Sequence, residues 1–177
     1  GVGTKYSGPC FPRDNKALNY FIKNKTKNSL PSFIDKINNS QTGRLIRIIK
    51  KFIGKEKLKK FNIGIFGLTY KDKTSIIKDS QSDDLIKKIR KNYKKNINVY
   101  DNNVIPSKEY IKNNKLSYFK NLDDFIKKTK ILILMYPNKI FLNKVKDLKN
   151  KIIIDCWNMT DKKKTNLKIY KLGQSFV

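Results

Sequence analysis

Cys10 lies in Tyr6-Ser7-Gly8-Pro9-Cys10-Phe11-Pro12-Arg13-Asp14, where a thiol, a guanidinium and a carboxylate follow one another closely. A cysteine in a Gly/Pro-rich loop, near a helix start and beside Arg13, is placed where a thiolate is stabilised, and the thiolate is the nucleophilic form. Asp14, four residues on, is able to position a water or hold a hydroxyl. A small buried cysteine followed by an N-capping aspartate accounts for the same residues, and spacing leaves both readings open. A second stretch, Gly67-Leu68-Thr69-Tyr70-Lys71-Asp72-Lys73-Thr74, has the glycine and lysine that a phosphate-holding loop uses. It lacks a full GxGxxG fingerprint, having only Gly64 and Gly67, and a GxxG turn more often means close strand–helix packing. By spacing alone, Tyr70-Lys71 is an ordinary surface pair and Lys78 an ordinary first-turn residue. The chain has no histidine, which excludes histidine-based triads, HExxH metal sites and zinc fingers.

The elements that must position these residues follow from periodicity. The first 14 residues, rich in Gly and Pro, read as loop. A helix is expected from Asp14, with Asp14 or Asn15 as N-cap and Leu18, Phe21 and Ile22 as its apolar stripe. A break at residues 28–30 and Pro31 open a second helix toward Phe52, carrying Ile34, Ile37, Leu45, Ile48 and Ile49 and closing at Gly54. After a charged linker at 55–60 the pattern changes. Strands are expected at 61–67, 97–100, 116–119, 131–135, 151–155 and 167–170. Helices are expected at 79–92, 122–128 and 139–148. Strands alternating with helices, two of the strands being continuous apolar runs, indicate a parallel sheet covered on both faces. The fold class is α/β: a helical segment over 1–58, then a Rossmann-like domain over 59–177. Ligands of such sheets bind beyond the carboxyl ends of the strands, which directs attention to the loop after the first strand.

With this organisation in place, the motifs resemble those of the UDP-glucose/GDP-mannose dehydrogenases. Gly8-x-Cys10-Phe11-Pro12-Arg13-Asp14 is similar to the GG-x-C-F-P-[KR]-D signature around that family's catalytic cysteine. Phe66-Gly67-Leu68-Thr69-Tyr70-Lys71-x-x-Thr74, followed by Lys78-Asp79-Ser80, resembles FGLAFK-x-x-T-x-D-x-RES. Tyr100-Asp101 resembles YDP, Ile152-Ile153-Ile154-Asp155 the late VIDGRN strand, and Tyr170-x-x-Gly173 the closing Y-x-x-G. The resemblance implies NAD-dependent oxidation of the C6 hydroxyl of a nucleotide sugar to a carboxylate, with Cys10 as nucleophile and Asp14 helping to activate water. Backbone around Tyr6 and Gly8 would cradle the sugar, Tyr70 and Lys71 would contact the nucleotide sugar, and Lys78 would stand near NAD. The CFPRD form resembles the branch acting on UDP-glucose. The family's NAD-binding half, and the lysine and asparagine that assist hydride transfer, lie upstream of its cysteine. The chain therefore resembles the rear part of such an enzyme, expected not to turn over alone and to belong to a homodimer in the complete protein.

Several positions depart from the family pattern. Lys78 replaces an arginine, Ile76 stands where an acid is usual, Trp157 replaces a late arginine between Cys156 and Asn158, and Ser7 replaces a glycine whose positive φ the loop could require. Cys156 reads as buried and structural, and Trp157 as strand-end packing or a base-stacking ring.

Among the 177 residues are 41 Lys+Arg against 14 Asp+Glu, a net charge of +27, and only four of the basic residues are arginine. Lysines spread evenly among Asn and Ile indicate compositional bias and argue against nucleic acid, whose recognition favours clustered arginine. No run approaches the roughly 20 apolar residues a membrane span needs, and two widely spaced cysteines exclude a disulfide scaffold. A cytoplasmic protein without metal or membrane association is expected. Two other readings stand beside the enzyme: a non-catalytic nucleotide-sugar-binding module, and a basic nucleic-acid-binding protein.

Overall fold

The computed structural model describes residues 4–23, 25, 29–54, 60–91, 93–145, 147–160 and 167–172. Linker residues 55–59, which include the segment boundary at 58, and Gly173 lie outside them. Two helices come first, α1 (Cys10–Lys23) and α2 (Leu30–Ile53). The α/β part follows as β1 (Ile63–Phe66), α3 (Gln81–Arg90), β2 (Ile97–Tyr100), α4 (Lys108–Asn114), β3 (Leu116–Tyr118), α5 (Leu122–Lys128), β4 (Ile131–Leu134), α6 (Lys139–Val145), β5 (Ile152–Asp155) and β6 (Lys168–Lys171). All neighbouring strands are parallel, in the order β3-β2-β1-β4-β5-β6.

Alternation along the strands assigns the two faces. Ile63, Ile65, Ile131, Ile133 and Ile154 point to one face, where Leu85, Ile86 and Ile89 of α3 and Leu45, Ile49 and Ile53 of α2 cover them. Phe66, Leu132, Leu134 and Ile153 point to the other, under Phe125 of α5 and Phe141 of α6. The last two turns of α2 therefore share one core with the sheet. Its other end and α1 leave Phe11, Leu18, Tyr20, Phe21, Phe33 and Ile37 exposed.

Local chemistry explains most boundaries. Ser29 caps α2, accepting from Ser32 N, with proline in the first turn and Gly54 at the C-cap. Ser80 caps α3, with its hydroxyl accepting from Asp83 N at 3.0 Å. The expected loop through Asp14 is corrected: α1 already starts at Cys10, because Pro12 falls in the first turn, where no N–H is needed. Asp14 and Asn15 are thus inside the helix rather than capping it. Asn15 is buried and donates to Pro31 O at 2.9 Å, tying α1 to α2. Helix α4 had no sequence counterpart; its Ser107 cap accepts from Tyr110 N, but seven residues hold less than two periods, and its end is Lys115 at φ 48° rather than glycine. Gly64 and Gly67 serve packing: a Cβ on Gly64 would lie 2.5 Å from Thr129 Cγ2, and one on Gly67, at φ 93°, 2.4 Å from the Tyr136 ring. Ser7 is not among the positive-φ residues; the left-handed turn falls on Gly8 at φ 92°.

Candidate nucleotide-sugar site

Residues 4–9 run along α2 and are clamped there. Asn38, buried on α2, accepts from Tyr6 N at 2.8 Å and donates to Tyr6 O at 3.0 Å, satisfying both backbone groups of one residue. The Tyr6 hydroxyl donates to Asp35 Oδ1 at 2.5 Å, and burial together with that carboxylate pushes the phenol up to about 12. Lys5 reaches Asp84 of α3 at 3.4 Å. Gly8 lies flat against Tyr70, whose ring would be 2.7 Å from any Cβ there. The Tyr6–Gly8 segment is thus held between α2 and the loop after β1. Asn38→Ala orphans two part-buried backbone groups and is expected to cost about 1–3 kcal/mol, read as a lower urea midpoint at unchanged m-value.

Between this segment, α2 and the carboxyl ends of the strands lies a cavity of about 740 Å³. Its walls include Tyr6, Asn38, Arg44, Tyr70, Gln81 and Trp157. The Trp157 indole is fixed by Nε1 donating to Met135 O at 2.6 Å, and its backbone N by Asp155 Oδ1 at 3.0 Å. Arg44 has no carboxylate partner among the described residues. Three aromatic rings beside a free guanidinium suit a flat polar group joined to phosphates. Lys71, exposed and itself not lining the cavity, holds its ammonium 5.4 Å from the Tyr70 ring centre.

The central Rossmann crevice itself is occupied by the protein's own groups. Asp101, buried after β2, accepts from Leu68 N at 2.6 Å, Thr69 N at 3.2 Å and Asn103 N at 2.7 Å, taking the loop amides that a dinucleotide's pyrophosphate would use. Tyr136 stacks over Gly67 and donates to Asn102 Oδ1 at 2.9 Å. NAD therefore does not fit this crevice. Lys78, exposed in the turn before α3, does not line the cavity.

Cys10 and Asp14 are exposed on α1, one helical repeat apart and so on the same face. Arg13 Nε meets Asp14 Oδ1 at 2.8 Å, and Asp14, then Cys10, raise the guanidinium's pKa. Neither Cys10 nor Asp14 lines the cavity, but Phe11 joins them to it, its ring edge-on to Tyr6 with centres 4.6 Å apart. Cys156 is fully buried, and burial pushes its thiol well above the usual range. The described residues contain no cluster of metal-ligating side chains.

The structure brings Tyr6, Gly8, Tyr70 and Lys71 together and leaves Lys78 apart. It adds Asn38, Arg44 and Gln81, which no motif marks, and gives Asp101, known from the sequence only as part of a YDP-like motif, a definite place as the acceptor for the loop amides. Asn38 and Gln41 continue the Ile34–Leu45 face of α2 at helical spacing, a legible signal that was read only for its apolar members.

An open parallel sheet in this strand order, with helices on both faces and a cavity at its carboxyl ends, defines a Rossmann-like nucleotide-binding domain. Residues 64–162 match the UDP binding domain of the UDP-glucose/GDP-mannose dehydrogenase family, and the chain belongs to that family. Over 89 residues it is 34% identical to the UDP-glucose 6-dehydrogenase of Rickettsia bellii and 32% identical to YtcA of Bacillus subtilis, covering half of this chain and a fifth of each relative. Its fold superposes on a GDP-mannose dehydrogenase from Pseudomonas aeruginosa with a TM-score of 0.77 at 21% identity, over 97% of this chain and 40% of that one. A UDP-D-ManNAc dehydrogenase from Pyrococcus horikoshii gives 0.75 at 20% identity, over 97% and 39%.

Proposed function

We propose that this chain is the nucleotide-sugar half of a dehydrogenase that oxidises UDP-glucose to UDP-glucuronate. The observation that carries the reading is the contact of Gly8 with Tyr70, which makes the cysteine-bearing segment and the loop of the UDP-binding domain two walls of one cavity. The nucleotide lies against Tyr70 and Trp157, with Arg44 and Lys71 supplying positive charge to the diphosphate. The sugar extends toward the Tyr6–Gly8 backbone.

Cys10 then performs covalent catalysis. A first hydride and the hydroxyl proton leave C6 to give the aldehyde; the Cys10 sulfur adds to it as a thiohemiacetal, which loses a second hydride and a proton to become a thioester; water cleaves the thioester, releasing the carboxylate and the thiol. Asp14, on the same helix face, orients that water. Two molecules of NAD in turn, held by the remainder of the enzyme with Lys78 at the edge, would accept the two hydrides. By itself the chain is expected not to reduce NAD with UDP-glucose.

Residues 1–58 form the end of a dimer core and 59–177 the UDP-sugar domain. The exposed Phe11, Leu18, Tyr20, Phe21 and Phe33 of α1 and α2 are the face a second copy would cover. Both described cysteines are free, as a reducing cytoplasm favours. No described helix is long and apolar enough to cross a membrane.

Alkylation tests the reading. Iodoacetamide is expected to modify Cys10 in the native protein and Cys156 only after unfolding, and UDP-glucose at ten times its Kd to slow Cys10 about tenfold. A Cys10 as inert as Cys156 favours the non-catalytic binding module, and a reactive Cys10 indifferent to UDP-glucose separates the thiol from the cavity.

A further inference from the structure

At the amino ends of the strands, opposite the nucleotide-sugar cavity, lies a second cavity of about 460 Å³. It is built by four separate segments: Lys60-Phe61-Asn62 before β1, Lys95 before β2, residues 127–130 before β4, and Lys151 before β5. Six of its nine lining residues are lysine and none is acidic. Elsewhere Lys87, Lys88 and Lys144 pair with Asp83, Asp84 and Asp123. Here no ammonium has a carboxylate partner among the described residues. Lys151 donates to Ile126 O and Thr129 O, both at 2.6 Å, Lys95 donates to Lys60 O at 2.7 Å, and Lys130 donates to Asn150 O. These carbonyls hold three of the side chains in place without cancelling their charge. Burial, and repulsion from Lys130, lower the pKa of Lys151, as expected where like charges converge uncompensated. Asp123 and Asp124 of α5 stand one turn before Lys127 and Lys128 on the same helix, but the one of them in an ion pair, Asp123, is paired with Lys144 of α6.

We infer that this cavity is a second anion site, taking a condensed phosphate chain of two or three phosphoryl groups. Ammonium groups bind phosphate as point charges, so several arranged around a concavity suit an extended, multiply charged anion better than a single phosphate or a planar carboxylate. The volume falls within the range of small-ligand sites. The inference is independent of the dehydrogenase reading, since no residue is shared between the two cavities.

Isothermal titration of the full chain with sodium tripolyphosphate, at constant ionic strength, tests it. One-to-one binding is expected, weakened about tenfold or more by the double variant Lys127→Gln/Lys128→Gln. The control Lys16→Gln/Lys23→Gln, which removes equal charge from α1, is expected to leave it unchanged. ATP titrated in parallel identifies the source of the chain: equal affinity assigns recognition to the phosphates alone, and tighter binding assigns it to a nucleotide. UDP-glucose is expected not to displace tripolyphosphate. Circular dichroism confirms that both variants are folded; if the double variant is not, Lys60→Gln takes its place with the same expectation. Equal weakening by the control, binding of many ions without saturation, or preference for duplex DNA over tripolyphosphate would overturn the site.

Discussion

In the complete enzyme, Cys10→Ser is expected to reduce turnover of UDP-glucose by about three orders of magnitude or more, the scale of losing a covalent nucleophile. The thiol is accessible at the first residue of α1, with Arg13 and Asp14 beside it. Serine preserves the size and the helix start, so the fold and UDP-glucose affinity should remain while the thioester route is lost. A hydroxyl is a far weaker nucleophile than sulfur. Stopped-flow measurement of NADH formation, paired with a binding titration, separates the two quantities. A Cys10→Ser enzyme that turns over within tenfold of the parent would remove Cys10 from the chemistry.

The largest effect on stability is expected from Asp101→Ala, about 3 kcal/mol or more, because three backbone N–H groups lose one shared buried acceptor. Asp101→Asn, which keeps one carbonyl oxygen, should cost less. Two of those N–H groups belong to Leu68 and Thr69, immediately before Tyr70, so the variant should weaken UDP-glucose binding as well as lower the urea midpoint. An unchanged midpoint would show that the loop holds itself without the carboxylate. The same three bonds take up loop amides that a dinucleotide's pyrophosphate would otherwise engage in a Rossmann-like crevice.

Much of the architecture was legible from periodicity. The apolar runs at 61–67 and 131–135, the helical spacing of apolar residues, and Pro31 and Gly54 at the ends of α2 mark the strands and most helices, because buried parallel strands and helix ends depend on neighbouring residues in the chain. Helix α4 escaped because it is too short to show a period. The start of α1 was placed four residues late because Pro12 reads as loop until its first-turn position is known. Of the site, Tyr6, Gly8, Tyr70 and Lys71 were named from motifs. The clamp by Asn38 and the filling of the crevice by Asp101 and Tyr136 were not, since they depend on contacts between residues more than 30 positions apart. From the sequence Trp157 reads as strand-end packing or a base-stacking ring; in the structure its N–H is tied to Met135 O and the residue lines the cavity.

The cavity between the Tyr6–Gly8 segment and the UDP-binding domain is the proposed seat of the nucleotide sugar. Calorimetric titration of the chain with UDP-glucose, repeated on Tyr70→Ala and Trp157→Ala, tests it most directly. Saturable one-to-one binding is predicted, weakened about tenfold or more by each substitution, in keeping with the loss of one base- or sugar-stacking ring. Binding that is absent, or that both variants retain at full strength, would contradict it.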